Sequence, residues 1–229
     1  MQAVNRLLEV LPRAARGRIL DQGARVSLEF GAVLCQHRRS YRYVYFPLSG
    51  FISLVAAVGD HPPLEIALIG DEGMLGATLV LGVNQARLQG IVQGAGTAWR
   101  LPASGFRRAM REFPALRRVV SRYLYVTLAQ LSRSTACSRF HEAETRLARW
   151  LLMTHDRAHA EQFHLTHQYL ADMLGVRRSA VTIAAGALQR RRLIRYVRGN
   201  IEVVDRQGLE AASCECYQAI AADYERMFD

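Results

Sequence analysis

The sequence predicts an α+β protein that begins with a double-stranded β-helix (a jelly roll), continues through a long helix and ends in a winged helix–turn–helix. Thirteen of the 17 glycines precede Arg107 and no proline follows Pro114, so the first part is rich in turns and the second is helical. Hydrophobic residues recur with a period of two in the first part and with helical spacing in the second. We place the predicted boundaries at residues 1–112, 113–140 and 141–229.

The composition is that of a globular protein with excess positive charge. Of 229 residues, 50% are hydrophobic and 22% charged, and the net charge is +10. All 30 basic residues counted as lysine or arginine are arginines. This charge favours an anionic partner. No apolar run approaches the roughly 18 residues of a membrane span, and the arginine-rich N-terminus does not read as a signal peptide. Four scattered cysteines do not form a disulfide framework, so we expect a cytoplasmic protein without membrane association.

Short strands dominate the predicted jelly roll. Residues 5–20 carry a helical apolar stripe, and from residue 24 the pattern alternates between apolar and polar side chains. Many short strands separated by glycine-rich turns are typical of a β-sandwich or jelly roll. Further strands are predicted at Tyr43–Phe46, Phe51–Val58, Leu64–Ile69, Ala86–Val92 and Thr97–Leu101, with turns at 47–50, 59–63, 70–76 and 94–96.

A long helix is predicted from Pro114, with apolar residues on two faces. A helix of about 22 residues would be roughly 33 Å long. One face can pack on the β-roll. The other face is covered either by the same chain or by a second copy in a homodimer. The predicted dimer-interface residues are Leu116, Val120, Leu124, Leu128 and Leu131.

A helix–turn–helix is the most specific motif. Its first helix begins after Thr166, a good N-cap, and ends at Gly175, where we expect a positive φ. The second helix exposes polar side chains near its N-terminus, as a helix that reads base edges does. Leu193–Val204 alternates across Gly199 and Asn200, which predicts a hairpin wing. The predicted buried faces contain Leu170, Ala171 and Leu174 in the first helix, and Val181, Ala184 or Ala185, and Leu188 in the second.

The position of the charge predicts DNA binding better than its amount. Residues 1–138 carry 17 arginines and 8 acids, whereas residues 139–229 carry 13 and 12. Within this balanced second part, Arg177–Arg198 contains seven arginines and no acid, which suits contact with phosphates. One or two of residues 190–192 could equally be a solvated helix end. The predicted DNA-binding residues are Thr166, His167, Gln168, Arg177, Arg178, Ser179, Thr182, Gln189 and Arg198.

In their order along the chain, these parts resemble the Crp/Fnr family of bacterial transcription regulators. The resemblance rests on residues 44–50, 70–76, 146–152 and 170–178. It implies a cyclic-nucleotide-binding-like β-roll that acts as a sensor and a homodimer that binds a two-fold symmetric operator. It also implies a contact with RNA polymerase, for which it suggests the loop His155–Gln162.

The same resemblance assigns roles in the helix–turn–helix. Thr166 and Gln168 match phosphate-contacting positions, and Arg178 matches the arginine that reads guanine. Ser179 and Ile183 replace the glutamate and second arginine of the cyclic-AMP receptor branch. Because the carboxylate acceptor for cytosine is missing, we expect a different operator half-site.

The cyclic-nucleotide cassette of the family is incomplete in this sequence. Ala77 and Leu88 replace its glutamate and serine, and of its three side chains only Arg87 remains. We therefore do not expect a cyclic nucleotide. Another small-molecule effector, no effector at all, and a purely surface role for Arg87 stay open. The candidate effector-binding residues are Arg87, Gly76, Leu131 and Ser132.

No certain cofactor and no metal site are predicted. No cysteine precedes Cys35, so the N-terminal iron–sulfur cluster of oxygen sensors is missing. We expect Cys214 and Cys216 on one helix, where their side chains would diverge by about 200° and could not clamp a metal by themselves. Together with Cys137 they are either thiol sensors or structural thiols. His155 and His159, four residues apart, are a weak candidate pair for a metal.

The two rival classes are a cupin-like enzyme and a non-specific, nucleoid-type nucleic-acid-binding protein. A cupin metal site requires a His-x-His motif, whereas the β region holds only His37 and His61. Residues 141–145 lack the second histidine of a zinc-protease helix, and no nucleophile elbow or phosphate-binding loop is present. We therefore predict that the protein is not an enzyme. Competition with random DNA would distinguish specific from non-specific binding.

Overall fold

The computed structural model describes residues 4–158 and 162–229 and has a mixed α+β fold with antiparallel sheets, long helices and a C-terminal helix–turn–helix. The chain forms two compact units. One consists of the residues up to Val55, of Ala67–Leu128 and of Tyr224–Asp229, and the other of Ala56–Ile66 and Ala129–Asp223. The predicted division into three parts stays a prediction.

The N-terminal half contains the larger sheet. Its strands are ordered β1-β5-β3-β4, and β2 also pairs with β5. The elements are α1 (Arg6–Glu9), α2 (Arg13–Leu20), β1 (Ala24–Leu28), β2 (Val33–Cys35), β3 (Tyr43–Ala56), β4 (Leu64–Ile69), a 3₁₀ helix (Ala77–Leu81), β5 (Gln89–Pro102), α3 (Ala103–Glu112) and α4 (Pro114–Phe140).

The C-terminal half contains a helical core with a small sheet ordered β6-β8-β7. Its elements are α5 (Ala143–Ala158), β6 (Gln162–His164), α6 (His167–Leu174), α7 (Arg178–Arg190), β7 (Ile194–Val197), β8 (Asn200–Val203), α8 (Arg206–Ala212) and α9 (Cys216–Phe228). No helix in the described ranges is both long and apolar enough to cross a bilayer.

Two predicted turns in the β region are wrong. β3 and β5 each continue through the glycine-rich segments 47–50 and 94–96, with shifts in their register. These glycines permit close contact between strands, since a Cβ on Gly94 would lie 2.3 Å from the Phe51 ring and one on Gly96 2.2 Å from the Ser49 carbonyl oxygen.

Other boundaries also differ from the predictions. The helical stripe at 5–20 forms two helices, because Pro12 lies between them and cannot continue a helix. α3, absent from the predictions, packs Phe106 edge-on against Phe46 of β3 at 6.1 Å between ring centroids. The predicted loop His155–Gln162 is corrected as well. Its first four residues belong to α5, and residues 159–161 lie outside the described residues, as does the predicted pair of His155 with His159.

α4 is 27 residues long, about five more than predicted. Leu116 and Val120 are completely buried within the single chain, so these two predicted interface residues belong to its own core. Tyr125 and Leu128, by contrast, are 74% and 55% exposed. The apolar surface that α4 leaves open therefore contains Leu128 of the predicted stripe together with Tyr125, which is not part of that stripe.

Candidate nucleic-acid interface

The first helix of the helix–turn–helix begins and ends as predicted. The Thr166 hydroxyl accepts a hydrogen bond from the Tyr169 backbone N–H at 3.2 Å and so caps α6. Gly175, with φ of 63° and ψ of 40°, closes the helix in the left-handed region. Three residues later α7 begins at Arg178, and the exposed Arg177 occupies its N-cap position.

The buried faces of both helices also match the sequence prediction. All the predicted core residues are buried, and both alanines face inward rather than one of them. Because one face of α7 packs inside, the opposite face with Arg178, Ser179 and Thr182 is exposed. The buried residues are Leu170, Ala171, Leu174, Val181, Ala184, Ala185 and Leu188.

A polar and aromatic cluster connects α6, α7 and β7. His167 Nδ1 lies 3.0 Å from the Thr182 hydroxyl, and the His167 ring packs against Tyr196 at 4.6 Å between centroids. The Tyr196 hydroxyl donates to the Leu165 carbonyl at 2.8 Å. Partial burial, and secondarily the charge of Arg178, lower the pKa of His167, so its imidazole is neutral at pH 7. The alternating pattern predicted β7 but not this role of Tyr196.

Both predicted DNA-binding glutamines form hydrogen bonds within the protein. Gln189 accepts a hydrogen bond from the Tyr196 backbone N–H at 2.7 Å through its side-chain oxygen, which joins the end of α7 to the wing. Gln168 donates to an Asp172 carboxylate oxygen at 2.9 Å. Both side chains are nevertheless exposed, so they stabilise the interface through these hydrogen bonds while lying at its surface.

The wing is a two-residue hairpin whose turn lies one residue earlier than predicted. Val197 pairs with Asn200, so the turn consists of Arg198 and Gly199, not of Gly199 and Asn200. Both turn residues have positive φ, 50° and 86°, as a type I′ turn requires. The exposed Arg198 side chain therefore lies at the tip of the wing.

Five of the seven arginines in Arg177–Arg198 carry uncompensated charge. Arg191 pairs with Glu144 at 3.1 Å and Arg195 with Glu202 at 2.7 Å. The remaining five are exposed and form no ion pair with any residue that the structure describes. They lie at the start of α7, at its C-terminal end and at the wing tip: Arg177, Arg178, Arg190, Arg192 and Arg198.

Comparisons with known proteins agree with this geometry. Residues 145–212 match the Crp-like helix-turn-helix domain. FixK2 from Bradyrhizobium japonicum is similar in structure with a TM-score of 0.70 at 17% identity, over 84% of this chain and 98% of that one. Residues 145–212 therefore form a Crp-like helix-turn-helix domain, and the chain shares the fold of FixK2 over most of its length.

Two further solved structures share the fold of this chain. A CRP/FNR-family transcriptional regulator from Thermus thermophilus matches with a TM-score of 0.66 at 22% identity, over 85% of this chain and 98% of that one. The c-di-GMP responsive global regulator CLP of Xanthomonas campestris matches with a TM-score of 0.66 at 15% identity, over 84% and 99%. No curated protein sequence matches the chain significantly.

The predicted effector residues are divided between the two units. In one unit, Gly76 has φ of 97° and precedes the 3₁₀ helix, and Arg87 is exposed. The Arg87 carbonyl oxygen lies 2.6 Å from His37 Nδ1. The half-buried Leu131 and the exposed Ser132 of α4 belong to the other unit.

A pocket that the sequence did not predict lies in the unit that contains the larger sheet. It has a volume of about 420 Å³ and is bounded by the 3₁₀ helix, α3 and the start of α4. Arg107, Arg111 and Arg117 line it together with apolar side chains such as Leu79 and Met110. A pocket lined by three arginines and by apolar side chains suits a small anionic molecule.

Proposed function

We propose that this protein is a transcription regulator of the Crp/Fnr type that binds DNA sequence-specifically and reads operator DNA with α7 and the β7–β8 wing. The observation that carries the proposal is a set of five exposed arginines around the open face of α7 for which residues 4–158 and 162–229 supply no ion-pair partner. Arginines in this state are available to phosphates and base edges without first breaking an internal pair. A non-specific, nucleoid-type protein is the alternative that the test below must distinguish.

The proposed DNA contacts are of two kinds: contacts with the phosphate backbone, which position the protein, and contacts with base edges, which read the sequence. Arg177, Arg190, Arg192 and Arg198 lie at the ends of α7 and on the wing, where the phosphate backbone on either side of the groove would be reached. Arg178, as the first residue of α7, is placed to make the bidentate contact with guanine that the family resemblance implies.

Three smaller side chains complete the proposed reading surface. Ser179 and Thr182 offer hydroxyl groups on the exposed face of α7. Ile183 is 71% exposed, which for an isoleucine on a helix suits apolar contact with a thymine methyl group. This set contains no carboxylate, so preference for cytosine through its amino group is not part of the proposal.

The proposed operator-binding form is a homodimer. Tyr125 and Leu128 give α4 an exposed apolar face that a second copy would cover. A two-fold dimer places its recognition helices in half-sites about one DNA turn apart. Contact with RNA polymerase is a further part of the proposal and rests on the resemblance to the Crp/Fnr family.

The proposed effector is a small anionic molecule other than a cyclic nucleotide, bound in the pocket lined by Arg107, Arg111 and Arg117. Ala77 is buried and carries no acceptor for a ribose hydroxyl, whereas the three arginines offer charge-assisted hydrogen bonds. Binding of such an effector would shift the population of α4 arrangements and so set the spacing of the recognition helices.

Substitution of Arg178 tests the reading role. We expect Arg178→Ala to weaken binding to a duplex selected from a random pool by about 1–3 kcal/mol, roughly five- to 150-fold, because a base-specific contact is lost. Binding to random duplex should weaken much less. The measurement is a titration of both duplexes by fluorescence anisotropy at fixed salt.

Arg118→Ala is the matched control. Arg118 is an exposed arginine on α4, so its removal changes the net charge equally without touching the winged helix. We expect it to leave the ratio of specific to random affinity unchanged. Equal losses on both duplexes for Arg178→Ala would overturn the assignment of Arg178 as a reading residue.

A further inference from the structure

Four side chains of metal-binding type converge where α4 ends and α8 meets α9. They are Cys137, His141, Cys214 and Cys216, and their ligand atoms all lie within 4.8 Å of one another. The three cysteines are buried and are free thiols, and His141 is partly buried. The DNA-binding function uses none of these four residues.

The local backbone explains how Cys214 and Cys216, with one residue between them, place their thiols on the same side. The expectation that Cys214 and Cys216 share a helix is wrong. α8 ends at Ala212, Ser213 is extended with φ of −78° and ψ of 165°, and α9 begins only at Cys216. The bend between the two helices therefore removes the divergence of about 200° that a continuous helix would impose.

The other two ligands come from the end of α4. Cys137 and His141 are four residues apart, and the His141 backbone N–H donates to the Cys137 carbonyl at 3.1 Å, so both side chains project from the same face of the helical turn. The pair is far from Cys214 and Cys216 in sequence. A shared ion would therefore connect two distant segments of the chain.

The separations match a tetrahedral site. Cys137 Sγ lies 3.6 Å from Cys214 Sγ, and Cys216 Sγ lies 3.7 Å from His141 Nδ1. With Zn–S bonds of about 2.3 Å and a Zn–N bond of about 2.0 Å, neighbouring ligand atoms of a zinc tetrahedron are roughly 3.5–3.8 Å apart. An ion can thus be accommodated with small side-chain adjustments.

The second nitrogen of His141 has the partner that metal-bound histidines usually have. His141 Nε2 lies 3.3 Å from a carboxylate oxygen of Glu215, the residue between the two cysteines. A carboxylate that accepts a hydrogen bond from Nε2–H fixes the tautomer in which Nδ1 carries the free lone pair. Nδ1 is the nitrogen that faces the thiols.

The surrounding charge suits thiolates. Arg149 is buried, and its Nε finds no hydrogen-bond acceptor among residues 4–158 and 162–229. Three thiolates and one divalent cation sum to a charge of −1, which this guanidinium would balance. Arg149 lies close enough to Cys137 and Cys214 to interact with both electrostatically.

We propose that Cys137, His141, Cys214 and Cys216 form a closed Cys₃His site for Zn²⁺ that fastens the end of α4 to the α8–α9 connection. Thiolate and imidazole ligands in a tetrahedral set are those that zinc prefers, and four protein ligands without an open position define a structural site. Binding converts three thiols to thiolates and releases their protons to solvent. A Cys137–Cys214 disulfide is the competing outcome, and it would leave Cys216 and His141 without a role.

The first test measures metal in the full-length protein. We expect chain purified without chelator, then supplied with Zn²⁺ and desalted, to retain about one zinc per chain by inductively coupled plasma mass spectrometry. Exchange with Co²⁺ should give the intense visible bands of tetrahedral cobalt and a thiolate-to-metal charge-transfer band. No retained zinc, an octahedral cobalt spectrum, or a Cys137–Cys214 disulfide in metal-free protein would overturn the proposal.

The second test compares variants by competition with a chromophoric chelator. Cys216→Ser should weaken zinc binding at least tenfold. Glu215→Gln keeps all four ligands and should weaken it by about 10- to 100-fold, because only the partner of His141 changes. Cys35→Ser, which removes a thiol outside the cluster, should bind as tightly as the parent chain. Equal zinc affinity in all four proteins would overturn the proposal.

Discussion

At Gly175 the chain leaves α6 with a left-handed backbone, and the position is crowded as well. A Cβ there would lie 2.8 Å from Leu64 Cδ1, a distance that real Cβ atoms essentially never show. Gly175 therefore serves both the geometry of the turn and the packing beside it. Three residues further on, Arg178 begins α7, so the turn determines where the proposed reading helix starts.

We predict that Gly175→Ala destabilises the protein by about 1–2 kcal/mol, because an L-residue in the left-handed region costs this much before any steric contact is counted. The measurement is the urea midpoint followed by circular dichroism. Gly186→Ala is the control within α7, where the nearest atom to a new Cβ is the flexible Arg190 guanidinium at 3.5 Å. It should be neutral or stabilising by about 0.5–1 kcal/mol. Equal destabilisation by both would contradict the assigned role of Gly175.

Single residues were predictable where one physical cause dominates. Thr166 as a cap and Gly175 as a left-handed terminator follow from short-range chemistry alone, and both predictions are confirmed. Gly94 and Gly96 were misread because glycine serves both turns and close strand contact, and only the partner strand distinguishes the two. The convergence of Cys137 with Cys214 depends on contacts distant in sequence, which no local pattern encodes.

Among the elements, α4 shows what periodicity leaves undetermined. Its sequence predicts two apolar faces, but the identity of each covering neighbour depends on the rest of the fold. Leu116 and Val120 are buried by the chain itself, whereas Tyr125 and Leu128 remain exposed. The proposed dimer face is accordingly narrower than the stripe that the spacing suggested.

We predict that Leu128→Glu shifts the protein from dimer to monomer, because association would bury a carboxylate from each copy at an apolar face. Each 1.4 kcal/mol lost raises the dimer dissociation constant about tenfold. The measurement is sedimentation velocity over a dilution series. Leu81→Glu introduces the same charge at a leucine that is 67% exposed, and it should leave the dimer intact. A dimer unaffected by Leu128→Glu would contradict the proposed interface.

The recognition elements were the most predictable part of the fold. α6, α7 and the wing combine helical spacing, caps and a hairpin signal over 40 residues, and local rules suffice for each. The error of one residue in the hairpin turn arose because Arg198 adopts a positive φ, which arginine seldom does. The wing tip therefore presents a charged side chain where a glycine–asparagine turn was expected.

For the whole molecule, the net charge of +10 does not by itself locate the proposed DNA surface. Most of the surplus lies in residues 1–138, and some of it is neutralised locally, as in the pair of Arg6 with Glu225 at 2.9 Å. At physiological salt the Debye length is about 8 Å, so distant charges act mainly on the rate of approach. Charges that contact the duplex determine affinity, and the proposed contacts include the five arginines of the winged helix that have no ion-pair partner in the described part of the chain.

Operator reading by the full-length protein is tested by selecting duplexes from a randomised pool in the presence of excess non-specific DNA. A homodimer that reads an operator should enrich an inverted repeat whose half-sites are centred about one helical turn, roughly 10 base pairs, apart. Specific binding should withstand the competitor, because specific sites are typically bound about 10³-fold or more tightly than random ones. Retained DNA binding without any enriched sequence would contradict sequence-specific operator binding and identify a non-specific DNA-binding protein.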